Sequence, residues 1–442
     1  MKQRNLRLRT NVALLSAILL FFLTNNGICA SSQRRSSRRL RRLSSTKAGK
    51  EQHVHDADFV HNSDSQGANE EQTTINNEEE TTADASDSKC SMSPSQYETT
   101  LRQLILTITP QDVLDTTTSS QSKAFHWLAH DDAISPPLCP PSLDNVHVDG
   151  GYARAVLLLE RYIMAAFYYA TNGDDWKECS ANTMNNNTCT RTITAQSSEV
   201  LSFVIEQAFG DESSTSTTEH GRKIGTKSWL SDTPTCDWGG LGCSHTTVGN
   251  NPEEGYYTID HIEFEDNNLD GTLLSELSTL HNLKFLILEK GKLQGPIPSS
   301  YGSLANLRVL DMDYNQLSGT LSTELYDMVE LRELDLNDNR LNGTIGVEIG
   351  KLSELVYLQL DNNEFSGDIP MEVGELMELT WAVFHGNNFV GEIPVSVCEN
   401  KDDDEAGSTN QGKITLLTAD CLEDDGPVVC SCCDYCGEEE PL

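Results

Sequence analysis

Six glycines recur at a spacing of 24 residues between positions 271 and 391. They are Gly271, Gly295, Gly319, Gly343, Gly367 and Gly391. A Leu or Phe lies two residues before each glycine, and an Ile or Leu lies two residues after it. An Asn lies four residues before every glycine except Gly295, where Gly291 replaces it. Such a period indicates repeated units, and one unit cannot bury its apolar face alone, so the units must stack.

Each unit reads LxxLxLxxNxLxGx(I/L). The six units begin at Ile259, Leu283, Leu307, Leu331, Leu355 and Leu379. The LxL segment predicts a short strand whose apolar side chains point inward, because side chains alternate along a strand. The Asn side chain can satisfy backbone groups where the chain turns. The Gly permits a turn that a β-carbon would obstruct.

The extended unit, in which Pro298, Pro370 and Pro394 follow the Ile directly, resembles the plant-type extracellular leucine-rich repeat, LxxLxLxxNxLxGxIPxxLGxLxx. Leu273, Leu321 and Ile345 are not followed by this Pro, so the sequence does not predict the structure of the second half of those three units. The segment CDWGGLGC resembles the N-terminal cap of the same family. VSVCEN, TADC and CSCCDYC resemble the cysteine-rich closure of secreted leucine-rich repeat proteins of diatoms and related algae, and AFHWLAHDD and YYATNGDDW resemble their upstream module.

This resemblance implies an α/β solenoid of six 24-residue units, with a parallel β-sheet on the concave face, an N-terminal helical module and cysteine-rich caps at both ends. Residues 1–30 predict a cleaved signal peptide or, alternatively, a retained signal anchor. Residues 31–95, Arg-rich and then acidic, predict disorder. The remaining boundaries are a helical module at 96–175, an insertion plus cap at 176–258, repeats at 259–398, and a C-terminal cap with an acidic tail at 399–442.

Thirteen cysteines become twelve when Cys29 leaves with the signal, and an even number in a secreted chain predicts disulfides. Their clustering predicts Cys179 with Cys189, Cys236 with Cys243, Cys398 with Cys421, two pairs among Cys430, Cys432, Cys433 and Cys436, and Cys90 with Cys139. Zinc is the alternative for CxCCxxC, but such sites belong mostly to reducing compartments, so we assign no metal ligands. Glycosylation sequons begin at Asn186 and Asn342.

Positions 3, 5 and 7 of each LxxLxLx segment should face the concave side. Their acidic members form a ladder centred on Asp311, Asp313, Asp335 and Asp361, and Tyr357 and Trp381 form an aromatic end. The predicted ligand-binding residues are Phe285, Asp311, Asp313, Glu333, Asp335, Tyr357, Gln359, Asp361, Trp381 and His385. Like charges stacked about 4.8 Å apart repel, so we expect a cationic or metal-bridged partner. The alternative is a solvated acidic face, which is common in so acidic a chain.

The net charge of −37 argues against nucleic acid as a partner. The sequence contains no GxSxG, HExxH or Gly-rich phosphate loop, so we expect no catalytic residue and no cofactor. The sequence therefore predicts a secreted or cell-surface recognition protein that binds a protein, peptide or glycan, with membrane contact only if the signal is retained. A cell-wall or matrix component and an inhibitor of secreted hydrolases are the alternatives.

Overall fold

The structure is a computed structural model that describes residues 93–134, 150–181, 189, 223–248, 251–401, 413–421 and 427–437. The predicted signal peptide, the segment at 31–92 and the sequon at Asn186 lie outside the described residues, as do Cys90 and Cys139.

Four helices precede the repeats. They are α1 at Pro94–Ile105, α2 at Gln111–Asp115, α3 at Ser120–His126 and α4 at Gly150–Ala170. Helix α1 begins with a capping box in which Ser93 and Gln96 each accept a hydrogen bond from the backbone N–H of the other. A π-helical turn, Trp127–Asp131, continues α3. Helices α1 and α4 agree with the helical module predicted at 96–175, although α1 begins two residues earlier. Asn172 follows α4 in the left-handed conformation, with φ of 55°.

Arg161 of α4 fixes the helices to the N-terminal cap. Its guanidinium forms a bidentate ion pair with Asp132, at 2.6 and 2.7 Å, and donates to the carbonyl oxygens of Ser231 and Thr233. It lies between two indole rings, 5.0 Å from the centroid of Trp127 and 4.7 Å from that of Trp238. The arginine is 2% exposed. Its hydrogen bonds and opposite charge offset the cost of burying it.

The repeats form a ten-stranded sheet on the concave side, in the order β1-β2-β3-β5-β7-β9-β11-β13-β16-β18. The strands are β1 Lys223–Ile224, β2 Leu241–Val248, β3 Asn251–Glu265, β5 Phe285–Glu289, β7 Val309–Asp311, β9 Glu333–Asp335, β11 Tyr357–Gln359, β13 Trp381–Val383, β16 Leu416–Ala419 and β18 Tyr435–Cys436. The strands from β3 onward are parallel, as the repeat predicts, whereas β1 and β2 add antiparallel cap strands at one end.

A second, six-stranded parallel sheet follows the first in every unit, and the sequence does not predict it. Its strands are β4 Asp270–Thr272, β6 Lys292–Gly295, β8 Gln316–Gly319, β10 Arg340–Gly343, β12 Glu364–Gly367 and β14 Asn388–Phe389. Strands β15 Gly391–Glu392 and β17 Val428–Val429 form a separate pair.

The second half of the unit is a short helix even where the Pro is missing. The 3₁₀ helices of the first five units are Ser275–Thr279, Ser299–Ser303, Thr323–Asp327, Val347–Lys351 and Met371–Glu375, and the sixth unit has α5 at Val395–Glu399. Two further 3₁₀ turns lie before the repeats, at Gly173–Asp175 and Thr235–Asp237. Leu274, Ser322 and Gly346 take the extended conformation that Pro298 takes before its helix.

The Asn and Gly columns act as the sequence predicts. Asn363 donates to the carbonyl oxygens of Leu336, Leu360 and Asp361 and accepts from the N–H of Leu341. From Gly295 to Gly391 the five column glycines have φ between 81° and 87°, which disfavours a side chain. Gly271 is also needed for close approach, because a β-carbon there would lie 1.8 Å from the carbonyl oxygen of Ala170.

Disulfides close both ends. The structure joins Cys179 to Cys189 and Cys236 to Cys243, the two local pairs that the sequence predicts. At the C-terminus the predicted pair of Cys398 with Cys421 is wrong, since Cys398 pairs with Cys432 and Cys421 with Cys436. Of the two pairs predicted among the last four cysteines, one forms, Cys430 with Cys433. The reason is that β18 adds to the sheet beside β16, which brings Cys436 to Cys421 and leaves Cys432 facing α5.

One continuous apolar core runs from the helices through the cap into the repeats. At the junction the ring of Phe167 in α4 lies 6.0 Å from Trp176, 6.0 Å from Trp229 and 6.2 Å from Phe264 of β3, measured between centroids. The helices therefore cover the apolar edge that the first repeat would otherwise expose.

Candidate functional site: the concave surface

We define the concave surface as the side chains at positions 3, 5 and 7 of the six units. The parallel pairing aligns them in rows, so Val309 is opposite Glu333, and Asp311 is opposite Asp335. Glu333 is in turn opposite Tyr357, and Tyr357 is opposite Trp381. The strand geometry thus brings the predicted acidic and aromatic residues to one surface.

Asp311, Asp313 and Asp335 converge, and with Glu333 they form what we call the acidic cluster. One carboxylate oxygen from each aspartate can be chosen so that the three lie within 4.8 Å of one another. Asp311 and Asp335 are each 7% exposed, and Glu333 is 3% exposed. Glu333 lies two residues before Asp335 on the same face of β9. Nearly buried carboxylates at this separation repel one another strongly unless they take up protons or a cation.

The electrostatics of the cluster reflect this crowding. Burial, followed by the charges of Asp335 and Glu289, raises the pKa of Asp311 well above its usual value. Burial and the charge of Asp313 do the same for the pKa of Asp335. Burial and the charge of Glu289 raise the pKa of Asp313 to about 7 and that of Glu333 to about 8.

Several oxygens of this region lack a hydrogen-bond donor. Asp313 Oδ1, Glu333 Oε2 and Asn337 Oδ1 are buried atoms without a hydrogen-bond partner. Backbone amides satisfy only one oxygen each of Asp311 and Asp335, through the N–H groups of Asp313, at 3.2 Å, and Asn337, at 3.1 Å. Lys290 pairs with Glu265 and Glu289, and its charge partly offsets the rise in the pKa of Asp313. No Lys or Arg of the described ranges forms an ion pair with the cluster itself. The region therefore has acceptors to spare and few donors.

The remaining aspartate of the predicted ladder, Asp361, has a partner of its own, although its charge also acts on Asp335. His385 Nε2 lies 3.8 Å from Asp361 Oδ2, and Asn362 donates to the same oxygen at 3.1 Å. The other ring nitrogen of His385 shares a hydrogen bond of 2.9 Å with the Thr418 hydroxyl in the C-terminal cap. The structure thus divides the ladder into the acidic cluster and an Asp361–His385 pair.

The aromatic end lies beside the cluster. Tyr357 and Trp381 meet edge to face, with ring centroids 5.5 Å apart and an interplanar angle of 88°. Both rings are half-buried, and so is Gln359, whose amide donates to Asp335. This geometry leaves part of each ring accessible to a ligand.

Phe285 does not fit the prediction of an exposed binding residue. It is 0% exposed and stacks on the ring of His261, which is also 0% exposed, at a centroid distance of 4.9 Å. His261 in turn contacts Glu263 at 2.9 Å. The physical reason is that large side chains on β3 and β5 pack against each other across the sheet. The accessible part of the concave surface is therefore its C-terminal half.

The opposite side of the repeats carries an apolar column. Val347, Met371 and Val395 recur at the first helical position of three successive units and are 58%, 63% and 67% exposed. This column is the competing candidate for a binding surface. Within the described ranges, no helix has both the length and the apolar character that a membrane span requires.

Comparisons with known proteins agree with the repeat assignment. The leucine-rich repeat family model matches residues 306–328 and 330–352. No curated protein sequence matches the chain.

Among solved structures, the chain is similar to the plant peptide hormone receptor RGFR1 in complex with RGF2, with 30% identity over 35% of this chain and 23% of that one and a TM-score of 0.31. It is similar to the Arabidopsis receptor kinase HAESA in complex with the peptide hormone IDA and the co-receptor SERK1, with 31% identity over 36% and 25% and a TM-score of 0.33.

A third similar structure is the ectodomain of the receptor kinase SOBIR1 from Arabidopsis thaliana, with 26% identity over 36% of this chain and 86% of that one and a TM-score of 0.34. The chain spans about a quarter of the length of RGFR1 and HAESA. The family match and the observed sheets place the repeats in the leucine-rich repeat solenoid fold.

Proposed function

We propose that the protein is a non-enzymatic extracellular recognition protein whose concave surface binds a positively charged segment of a protein or peptide. The observation that carries the proposal is the acidic cluster, in which nearly buried carboxylates converge and with which no Lys or Arg of the described residues forms a direct ion pair. Carboxylates arranged in this way destabilise the free protein, and a bound cation removes that repulsion.

The acidic cluster and its neighbours have more hydrogen-bond acceptors than donors, so they favour a ligand that supplies N–H groups. An arginine side chain offers five donors in a planar fork, and a lysine offers three. Either can pair with Asp311 and Asp335 and also reach the unpartnered oxygens of Asp313 and Asn337. Hydrogen bonds between charged groups are about twice as strong as neutral ones.

The neighbouring aromatic pair supplies the second half of such a site. Strands about 4.8 Å apart place Trp381 two strands from Asp335, so roughly 10 Å separates the two binding features. An extended peptide covers that distance in about three residues. A basic side chain in the cluster and an apolar one against Tyr357 and Trp381 therefore suit one short segment.

An extracellular location is part of this proposal. Five disulfides join described cysteines, and disulfides persist in oxidising compartments. The N-terminal signal in the sequence supports secretion or a surface anchor. Asn342 on β10 is half-buried and heads a sequon, so a glycan can extend from the second sheet without touching the concave surface.

Calorimetric titration of an arginine-rich peptide into the full-length protein tests the proposal. The double variant Asp311→Asn with Asp335→Asn should lose at least tenfold in affinity. Glu348→Gln with Glu372→Gln removes the same charge from stacked residues in the short helices and should bind like the wild type. Equal affinity of the two double variants would mean that the net charge of −37, and not the concave surface, attracts the peptide.

A further inference from the structure

A second role for the acidic cluster follows from its oxygen atoms. Asp311 and Asp313 belong to one unit, and Asp335 and Asn337 occupy the same two positions in the next. The four positions form a two-by-two square on adjacent strands, with three carboxylates and one amide. We propose that this square is a Ca²⁺ site on the concave surface.

The separations suit a calcium ion. Ca²⁺ binds oxygens at 2.3–2.6 Å, so two ligands of one ion lie at most about 5.2 Å apart. The three aspartate oxygens lie within 4.8 Å of one another and need no rearrangement to share a Ca²⁺. Mg²⁺ holds oxygens at 2.0–2.1 Å and demands octahedral geometry, which limits the same separation to about 4.2 Å. Carboxylate and amide oxygens without sulfur or nitrogen also suit a hard cation.

An independent observation concerns the unpartnered atoms. Glu333 is 3% exposed, and its Oε2 accepts no hydrogen bond. Its charge acts on both Asp311 and Asp335, which places its carboxylate beside the square. Asn337 Oδ1 and Asp313 Oδ1 are buried and unpartnered in the same way. Leaving such atoms unsatisfied destabilises the metal-free protein, and a cation bound among these side chains offsets that cost.

The consequence is that Ca²⁺ regulates recognition. The ion and a basic side chain of the ligand require the same carboxylates, so each should weaken the binding of the other. This regulatory consequence rests on the proposed function, whereas the Ca²⁺ site itself does not require a peptide ligand.

Thermal unfolding of the full-length, chelator-treated protein tests the site without any ligand. Millimolar Ca²⁺ should raise the midpoint by about 2 °C or more, and Mg²⁺ should raise it less. Asp313→Asn with Asp335→Asn should lose most of the Ca²⁺ shift, while Glu348→Gln with Glu372→Gln should keep it. Absence of a Ca²⁺ shift in the wild type, or equal shifts in both double variants, would overturn the proposal.

Asn337→Ala separates coordination from charge, because it removes an amide oxygen and leaves the charge unchanged. Its Ca²⁺ affinity, measured by calorimetry, should fall several-fold, and an unchanged affinity would remove Asn337 from the site.

The peptide titration distinguishes the two proposals. A Ca²⁺ shift without peptide binding supports the metal site and refutes the proposed function. Peptide binding without a Ca²⁺ shift supports the proposed function and refutes the metal site. Where both occur, Ca²⁺ must lower the peptide affinity if the ion and the peptide share the cluster.

Discussion

Neutralising Asp311 should stabilise the metal-free protein, although most substitutions of nearly buried residues destabilise. Asp311 is opposite Asp335 on the next strand and experiences the charges of Glu289, Glu333 and Asp313. Asp311→Asn keeps the oxygen that accepts the 3.2 Å hydrogen bond from the N–H of Asp313. The substitution thus removes charge while it preserves shape and the known hydrogen bond.

The expected magnitude follows from the separation of the carboxylates. Two unit charges about 5 Å apart repel by about 3 kcal/mol at an effective dielectric constant of about 20. Part of that energy is already relieved by proton uptake, because burial and mutual repulsion raise the pKa of all four carboxyls of the cluster, including those of Asp311 and Asp335. We therefore expect Asp311→Asn to increase the free energy of unfolding by about 1–3 kcal/mol.

Urea unfolding in chelator-containing buffer, followed by circular dichroism with the disulfides intact, measures this difference. The midpoint should rise while the denaturant slope stays unchanged. Glu348→Gln, outside the cluster, should change the stability by no more than about 0.5 kcal/mol. A destabilised Asp311→Asn protein, or one indistinguishable from Glu348→Gln, would show that the carboxylates do not repel in the folded state.

Three further predictions concern the scaffold. Burial raises the pKa of Glu160, which lies near Asp260, so the folded state binds its proton more tightly. Its contribution to stability should fall as pH rises above about 4.5, and Glu160→Gln should make the total fall in pH-dependent urea unfolding smaller, because the acidic cluster accounts for the rest. An unchanged fall would contradict this role of Glu160. Gly319→Ala forces a φ of 87° on alanine and should lower the free energy of unfolding by about 1–2 kcal/mol. Gly271→Ala also brings a β-carbon against the Ala170 carbonyl oxygen and should lower it more. Equal midpoints of the two variants in thermal unfolding would refute the close approach. Asn363→Ala leaves the Leu341 N–H unsatisfied and should cost about 2–4 kcal/mol in urea unfolding; a loss below 1 kcal/mol would show that water replaces the side chain.

The repeated half of the fold was predictable because its signals are local. The LxL segment, the Asn and the Gly of one unit act within that unit or on an adjacent one, so the periodicity predicts stacked units with one strand each. The resemblance to plant-type leucine-rich repeats implies the parallel sheet. The turn after each strand contains a further column of residues, with positive φ, that the repeat pattern does not predict. Its members are Asp266, Lys290, Tyr314, Asp338, Asn362 and Gly386, and all have positive φ. Asp, Asn and Gly tolerate positive φ, but Lys290 and Tyr314 do not share that preference, so the column as a whole does not predict the conformation.

The caps were less predictable because their contacts are distant in sequence. Cys398 and Cys432 are 34 residues apart, and their meeting depends on β16 and β18 extending the sheet. Four cysteines within seven residues allow several pairings, so the spacing cannot select one.

The candidate site was predicted in outline only. Alternation along the strands predicts which side chains face the concave side, but not which of them pack. Phe285 is buried against His261, and His385 pairs with Asp361 because Thr418 of the C-terminal cap holds its ring. The division of the acidic ladder therefore depends on contacts that a single repeat does not contain.

Photo-crosslinking from a single position tests most directly whether the concave surface is the binding site. A photoreactive amino acid replaces Gln359, which lies half-buried between the acidic cluster and the aromatic pair, or Val347 in the exposed apolar column on the other side. Each full-length protein is irradiated with a biotinylated arginine-rich peptide. The account predicts a crosslinked product from position 359, competed by unlabelled peptide, and little from position 347. A product from position 347 without one from position 359 would contradict it.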